Sequence, residues 1–342
     1  MKNRALLLAV AVLVLSMLGS GVSAAEKITV AVGGWALEDT IRALEELGFT
    51  EKTGIEVEVQ VRPGAAPDFL SQMTSAIMAG TTPYDVIALE DECFISMSRA
   101  GWLVPLDELF DDEFWTDFPQ DMLDMIEVWH RHDGQLYRMP HNFEAQYFWY
   151  RKDILDELGL EVPQTWEELI EVGKQLTDDG VWAISDGMAK GAYLMVNLGY
   201  WTLQAGGNAF DLGPEFETAL QFLHDLMYEH AIFPVAALNR DFDALNQDYM
   251  NDRVIMMRQW PYFWDVGRSD PEWFEEDKMA IALPLEGPGG RATYAAAWGW
   301  SIPKTSTKID AAKTFIEFMT SIENAPKLAQ MSVRWLSPRK SI

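Results

Sequence analysis

The chain has 342 residues, of which 49% are hydrophobic and 23% charged, and it carries a formal net charge of −27. This is the composition of a globular rather than a disordered protein, and the length is generous for one domain and typical for two. The acidity argues against nucleic acid and against anionic membrane surfaces as partners, because nothing offsets repulsion from phosphate; it favours solubility and says little about fold.

Residues 1–25 read as a signal peptide. Lys2 and Arg4 make a basic start, the apolar run from Ala5 to Leu18 is too short for a membrane span, and Val22-Ser23-Ala24 is a small-residue cleavage site. Loss of Lys2 and Arg4 takes the net charge from −27 to −29. The single cysteine, Cys93, lies far from that site, so neither a lipid anchor on an N-terminal cysteine nor an internal disulfide is expected. The expectation is a free, exported, periplasmic chain.

Residues 28–32 form a short apolar, β-branched run that predicts a strand, and a helix over 40–47 ends at Gly48. Residues 55–61 alternate apolar and polar side chains and predict a second strand. The helix predicted over 67–78 carries Phe69, Leu70, Met73 and Ile77 on one face and stops at Gly80. Residues 86–89 predict a buried strand that runs into an acidic turn, Glu90-Asp91-Glu92, followed by a helix over 94–99 that ends at Gly101. Alternation of strand and helix predicts a parallel sheet with helices on both faces. The carboxyl end of such a strand is where open α/β sheets bind ligands, which draws attention to those three carboxylates.

The middle of the chain is more helical. Thr165-Trp166-Glu167-Glu168, with Pro163 before it, is a capping box that opens a helix running to about 176. A helix over 215–229 places Phe216, Leu220, Leu223 and Met227 on one face, another covers 241–251, and 254–257 is a short buried strand. Strands return at 279–283 and 298–302, the second after a glycine-rich turn. That turn, Gly287-Pro288-Gly289-Gly290, lacks the Lys-Ser/Thr and following helix of a phosphate loop. A helix over 308–320 carries Ile309, Ala312, Ile316 and Met319 at helical spacing. His130 and His132 stand beside Asp133, but no further ligand has metal-site spacing, so they read as a solvated turn. Hydrolase signatures of the Gly-x-Ser-x-Gly or His-Glu-x-x-His type are missing. No catalytic residue, metal or cofactor is expected.

Six stretches carry a resemblance. They are Tyr137-Arg138-Met139-Pro140; Phe148-Trp149-Tyr150-Arg151-Lys152-Asp153; Pro163-Gln164-Thr165-Trp166-Glu167-Glu168-Leu169; Gly206-Gly207; Arg253-Val254-Ile255-Met256-Met257 through Trp260; and Ala311-Ala312-Lys313 through Phe318-Met319-Thr320-Ser321. In this order and spacing, over about residues 28–341, the chain resembles the extracellular solute-binding proteins of ABC-type sugar importers (family 1, maltose-binding-protein-like). The resemblance implies an α/β, two-lobe periplasmic binding protein fold, each lobe a mostly parallel sheet flanked by helices, with the ligand cleft between them. It implies a first lobe of 26–138 plus 282–320 and a second of 139–281 plus 321–342, with hinges near 139–142, 282–284 and 320–323. Members of the family usually continue for tens of residues, as further helices, beyond the Pro338-Arg339-Lys340-Ser341 motif, whereas this sequence stops at Ile342: either the gene product is truncated or the sequence is partial. A small-molecule sugar as ligand, permease subunits in the membrane as partners, no nucleic acid and a monomeric state complete the implied description.

Sugars offer C–H faces to aromatic rings and hydroxyl edges to polar groups, and a rigid ring buries the apolar face at low entropy cost. Of the 14 tryptophans, Trp35 follows the first strand, and Trp260, with Tyr262, follows the strand at 254–257. These three and Trp298 are candidate stacking residues. An ionised carboxylate accepts strongly from a hydroxyl and penalises ligands that lack one. Glu144 aligns with the family's acidic residue just after the first crossing, and Asp91 and Glu92 lie at the strand end; these are the candidate acceptors. Acidic residues among aromatics would also suit a polyamine or another cation through cation–π contact, and paired carboxylates would suit a secreted glycosidase. The motifs favour a sugar importer's binding protein over both.

Overall fold

The computed structural model describes residues 26–64, 66–208, 211–274 and 278–342; the expected signal peptide lies outside them. Its contacts separate two compact units, one running up to Ala88 and resuming over Ile302–Phe318, the other comprising Leu89–Ser301 and Met319–Ile342.

In the first unit, β1 (Glu26–Val32) buries Ile28, Val30, Ala31 and Val32 completely, as a strand covered on both faces must. α1 (Leu37–Leu47) stops where Gly48 takes a left-handed conformation (φ 69°). β2 (Ile55–Val61) lies parallel to β1 along its full length, from Glu26↔Ile55 to Val32↔Val61. α2 (Ala66–Met78) turns Phe69, Met73 and Ile77 inward. β3 (Val86–Leu89) pairs in parallel on the other side of β1, at Val30↔Val86 and Ala31↔Ile87. The alternating pattern read from the sequence is therefore the pattern that forms. Asp85 fastens the sheet to the late segment of this unit. Its carboxylate accepts from the Thr29 N–H (2.9 Å), the Ser306 hydroxyl (2.7 Å) and the Lys308 ammonium (3.1 Å). The helix Ile309–Met319 follows, with Phe315 and Phe318 set edge-on to the buried Phe49.

The second unit opens with α3 (Asp91–Arg99), which starts three residues earlier than expected. Glu90 occupies its N-cap, so Asp91 and Glu92 lie in the first helical turn rather than on a loop. Acidic side chains are stabilised there by the helix dipole, and the sequence pattern of an acidic turn and of an acidic helix start is the same. Residues 89–138 join this unit although the sequence reading ends a lobe at 138. One reason is the tail of the chain. Arg339 lies over the Phe114 ring at 4.2 Å, and Asp117 accepts from the Ser341 hydroxyl at 2.6 Å.

The main sheet of this unit contains β4 (Tyr147–Arg151), β5 (Trp182–Ser185), β6 (Val254–Gln259) and β7 (Met279–Ala282) in the order β7-β4-β6-β5. Three strands share one direction and β4 alone is reversed. The two-residue period of the strands sorts the core: Phe148 and Met256 pack on one face with Trp201 and Leu223, while Trp149 and Met257 pack on the other with Tyr249 and Phe263. The capping box forms as read, with Thr165 Oγ1 accepting from the Glu168 N–H at 3.1 Å at the start of the helix Trp166–Leu176. The helix Ala192–Gln204 is not anticipated, because its apolar residues surround the axis and leave no stripe. The helix Pro214–His224 differs from expectation: Ala219 and Leu223 face inward, while Leu220 is exposed. It then widens into a π-turn over Asp225–Glu229, which buries Leu226 and Met227. The glycine-rich turn is a hairpin, Gly287↔Gly290, pressed against the 206–207 pair: a Cβ on Gly289 would fall 2.1 Å from the Gly206 nitrogen.

Beneath this sheet lies a fully buried ion pair. Arg258 grips Asp186 with two N–H groups, donates to Asn197 Oδ1 at 2.9 Å, and stacks on the Tyr200 ring at 3.7 Å. The Trp201 indole N–H completes the Asp186 carboxylate at 3.0 Å. A buried pair is tolerable only with such additional hydrogen bonds, and here both ions have them.

Candidate functional site

The carboxyl end of β6 delivers two aromatic rings, and its own polar residues fix them. The buried Gln259 accepts the Trp260 N–H on Oε1 (2.9 Å) and donates from Nε2 to Asn246 Oδ1 (2.8 Å); Asn246 then donates to the Tyr262 hydroxyl (3.0 Å). Trp260 meets Tyr294 edge to face at 6.3 Å and 89°. Tyr262 has a different neighbour, the Arg334 guanidinium, 4.9 Å above its ring. Arg334 is held there by a turn that Asp265 organises, accepting from the Ser332 hydroxyl at 2.7 Å and the Val333 N–H at 3.2 Å.

Glu144 is buried in the same unit, in a short strand Glu144–Ala145 paired with Ala295–Ala296. Asn142 Nδ2 donates to Glu144 Oε1 at 2.7 Å, and the Trp298 N–H donates to Asn142 Oδ1 at 2.7 Å. One buried amide thus positions both the acid and the Trp298 backbone. Burial pushes the Glu144 carboxyl up to about 7; Arg334 and the Asn142 hydrogen bond oppose that rise, and Asp91 adds to it. Burial also raises the Tyr294 phenol, with smaller contributions from Asp91 and Glu92. These electrostatic links gather Glu144, Arg334, Tyr294 and the start of α3 into one region.

Asp91 differs from its sequence reading in a second way. Its Oδ1 accepts from Arg138 Nη2 at 2.5 Å, and Arg138 is fully buried, with Nη1 on the Leu89 carbonyl at 3.2 Å. His130 completes the cluster. It is buried rather than solvated, its Nδ1 lies 2.9 Å from the Arg138 carbonyl and its Nε2 3.1 Å from Arg138 Nη2. Burial first, and the Arg138 charge second, hold it well below the usual histidine range. The neutral ring therefore carries its proton on Nδ1 and accepts from Arg138 on Nε2. Asp91 is thus first the counter-ion of Arg138. Glu92 is exposed, as is Trp35, which stands 42% open on the turn Gly34–Ala36 of the other unit.

Of the seven sequence candidates, Glu144, Trp260, Tyr262, Trp298, Asp91 and Glu92 fall in the larger unit; Trp260 and Tyr262 are joined through Gln259 and Asn246, and Glu144 and the Trp298 backbone through Asn142. Sequence reasoning missed Tyr294, Arg334 and Asn142. Arg334 and Tyr294 come from distant irregular segments with no periodicity to betray them. Asn142 could have been suspected from its place between the crossing and Glu144. Among the described residues no group of three His, Cys, Asp or Glu side chains is placed to hold a metal, and no helix is long and apolar enough to cross a membrane.

Comparison with known proteins agrees with this architecture. The arabinooligosaccharide-binding protein of Halalkalibacterium halodurans is 25% identical over 210 residues, 56% of this chain and 45% of its own length. The mannitol-binding protein of Pseudomonas aeruginosa is 27% identical over 242 residues, 65% of this chain and 52% of its own. The matches thus span about half the length of these relatives. Maltose-bound MalE3 of T. maritima superposes with a TM-score of 0.79 at 27% identity, over 93% of this chain and 82% of that one. The model of the bacterial extracellular solute-binding protein family matches residues 35–326. The chain belongs to that family.

Proposed function

We propose that this protein is the extracellular substrate-binding component of an ABC importer, and that it captures a mono- or oligosaccharide or a related polyol. The observation that carries the reading is that the larger unit holds the Trp260 and Tyr262 rings, tied together through Gln259 and Asn246, and also a buried Glu144 carboxyl whose hydrogen-bond donor is the neutral Asn142 amide. Rings cover the C–H faces of a sugar, and a carboxylate accepts its hydroxyls. The names of the relatives, which specify maltose, mannitol and an arabino-oligosaccharide, support the same chemistry.

In this proposal the chain is exported by residues 1–25 to the periplasm, acts as a monomer, and performs no reaction. Two lobes close on the ligand through hinges near 139–142, 282–284 and 320–323, and the closed form docks on the membrane permease. The ligand drives closure only by its preference for the closed state. Trp35 and Trp298 would add stacking surface, and Asp91 and Glu92 would border the opening. Micromolar affinity requires about 8 kcal/mol, within reach of two stacked rings and several charge-assisted bonds.

Isothermal titration with maltose, mannitol, an arabino-oligosaccharide and putrescine tests the reading. Saturable binding of at least one of the first three is expected. Binding of putrescine alone would replace the carbohydrate with a cation, and release of reducing sugar that Glu144→Gln abolishes would make the protein a glycosidase.

A further inference from the structure

Gln146 is a buried residue whose amide is half used. The register of β6 on β4 runs Met256↔Tyr150, Met257↔Trp149, Arg258↔Phe148 and Gln259↔Tyr147. One step further sets Gln146 opposite Trp260. Side chains alternate along a strand, so Gln146 shares a face with Arg258 and Trp260. The contacts agree. Arg258 Nη1 donates to Gln146 Oε1 at 3.4 Å, the Gln146 N–H donates to the Tyr294 carbonyl at 3.0 Å, and Thr293 Oγ1 donates to the Gln146 carbonyl at 2.7 Å. Trp260 therefore stands across the strand pair from Gln146, and the Tyr294 backbone, whose ring meets Trp260 edge to face, meets its N–H.

A guanidinium offers only donors. The Gln146 carboxamide must turn its oxygen to Arg258, which sends Nε2 the other way. That nitrogen is fully buried and has no acceptor among the described residues. A buried donor without a partner is destabilising, and such groups are rare enough to need a reason.

We propose that Gln146 Nε2 is a specificity-determining donor of the ligand site, giving its N–H to a ligand oxygen beside Trp260 and so excluding ligands that can only donate. This rests on the carbohydrate reading above. Glu144 stands two residues earlier in the chain and accepts; Gln146 donates. A hydroxyl or ether oxygen satisfies Gln146 while a neighbouring hydroxyl satisfies Glu144. A protonated amine can satisfy Glu144 but leaves Gln146 unpaired in a closed site, a mismatch that buried polar groups punish heavily.

The test uses the full chain and calorimetric titration of mannitol, maltose and putrescine against the wild type, Gln146→Glu and Gln146→Leu. Glutamate keeps an acceptor for Arg258, which protects the fold, and turns an acceptor toward the ligand. The carbohydrate or polyol that the wild type binds should weaken about tenfold or more in both variants, and Gln146→Glu should gain affinity for putrescine. If Gln146→Leu fails to fold, the ratio of carbohydrate to putrescine affinity in Gln146→Glu decides alone. An unchanged ratio overturns the assignment of Gln146 and leaves the carbohydrate reading intact. A wild type that binds none of mannitol, maltose and the arabino-oligosaccharide of the preceding test overturns the reading on which the assignment rests.

Discussion

Replacing Glu144 by Gln should stabilise the ligand-free protein at pH 8 and change it little at pH 5. The carboxyl is raised from 4.5 to about 7, chiefly by burial. In the unfolded chain it releases its proton near the ordinary value. Between pH 4.5 and about 7 the native state holds a proton that the unfolded state has lost, so stability falls as pH rises through this window and stays lowered above it. At about 1.4 kcal/mol per pH unit, the full cost is on the order of 3 kcal/mol. Glutamine keeps an oxygen for the Asn142 amide but gives up the attraction of Arg334. The expected net gain is therefore about 1–3 kcal/mol at pH 8.

Urea unfolding of both proteins at pH 5 and pH 8, followed by tryptophan fluorescence, measures the difference directly. A gap between variant and wild type that is the same at both pH values would refute the reasoning, because it would place the effect in packing rather than in ionisation. Binding supplies the converse. A hydroxyl that donates to the ionised carboxylate draws off the proton, so wild-type affinity should drop below pH 7, while Glu144→Gln should bind weakly with a flat profile.

Trp260→Ala should weaken carbohydrate binding by about 1–3 kcal/mol and leave the melting curve close to wild type; an unaltered titration would remove this ring from the site. Gly289→Ala sets a Cβ 2.1 Å from the Gly206 nitrogen and 2.2 Å from its Cα. Backbone cannot rotate away, so a loss of about 2–4 kcal/mol is expected in urea, and a wild-type midpoint would show that the hairpin can move aside. Asp91→Asn leaves the buried Arg138 without its counter-ion. Because Asp91 is partly exposed, the cost should be about 1–3 kcal/mol rather than the larger figure for a sealed pair; equal stability in a chemical melt would contradict it.

The parallel sheet of the first unit was legible because two kinds of signal agreed. Its strands are β-branched and bounded, and glycines at 48 and 80, each with positive φ, follow the helices between them. The helix Ala192–Gln204 was illegible for the opposite reason: its apolar residues surround the axis and leave no stripe for periodicity to detect. Charge was harder still. Asp91 and Glu144 look alike in sequence, two acids among 53, and only the fold shows one held by Arg138 and the other by a neutral amide. Trp260 and Tyr262 could be picked because a strand end is a short-range feature. Arg334 and Tyr294 could not, because what matters about them is the arrival of distant loops at one place.

The distribution of charge inside the molecule singles out Glu144. With a net charge of −27, most acids can remain in solvent. Among the described residues three carboxylates are buried, and two have charged partners: Asp186 is gripped by Arg258, and Asp85 by Lys308. Glu144 accepts from the Asn142 amide and feels Arg334 only through space. Among the described residues the other two buried acids are held as ion pairs, and Glu144 is the exception. A carboxyl left with spare acceptor capacity, at a cost in stability that rises with pH, is difficult to explain as scaffolding, since leucine or methionine would fill the space without the penalty. It is readily explained as an acceptor whose remaining bonds come from a bound hydroxyl, and stability is then expected to recover when ligand is added at pH 8, by RT ln(1 + [L]/Kd).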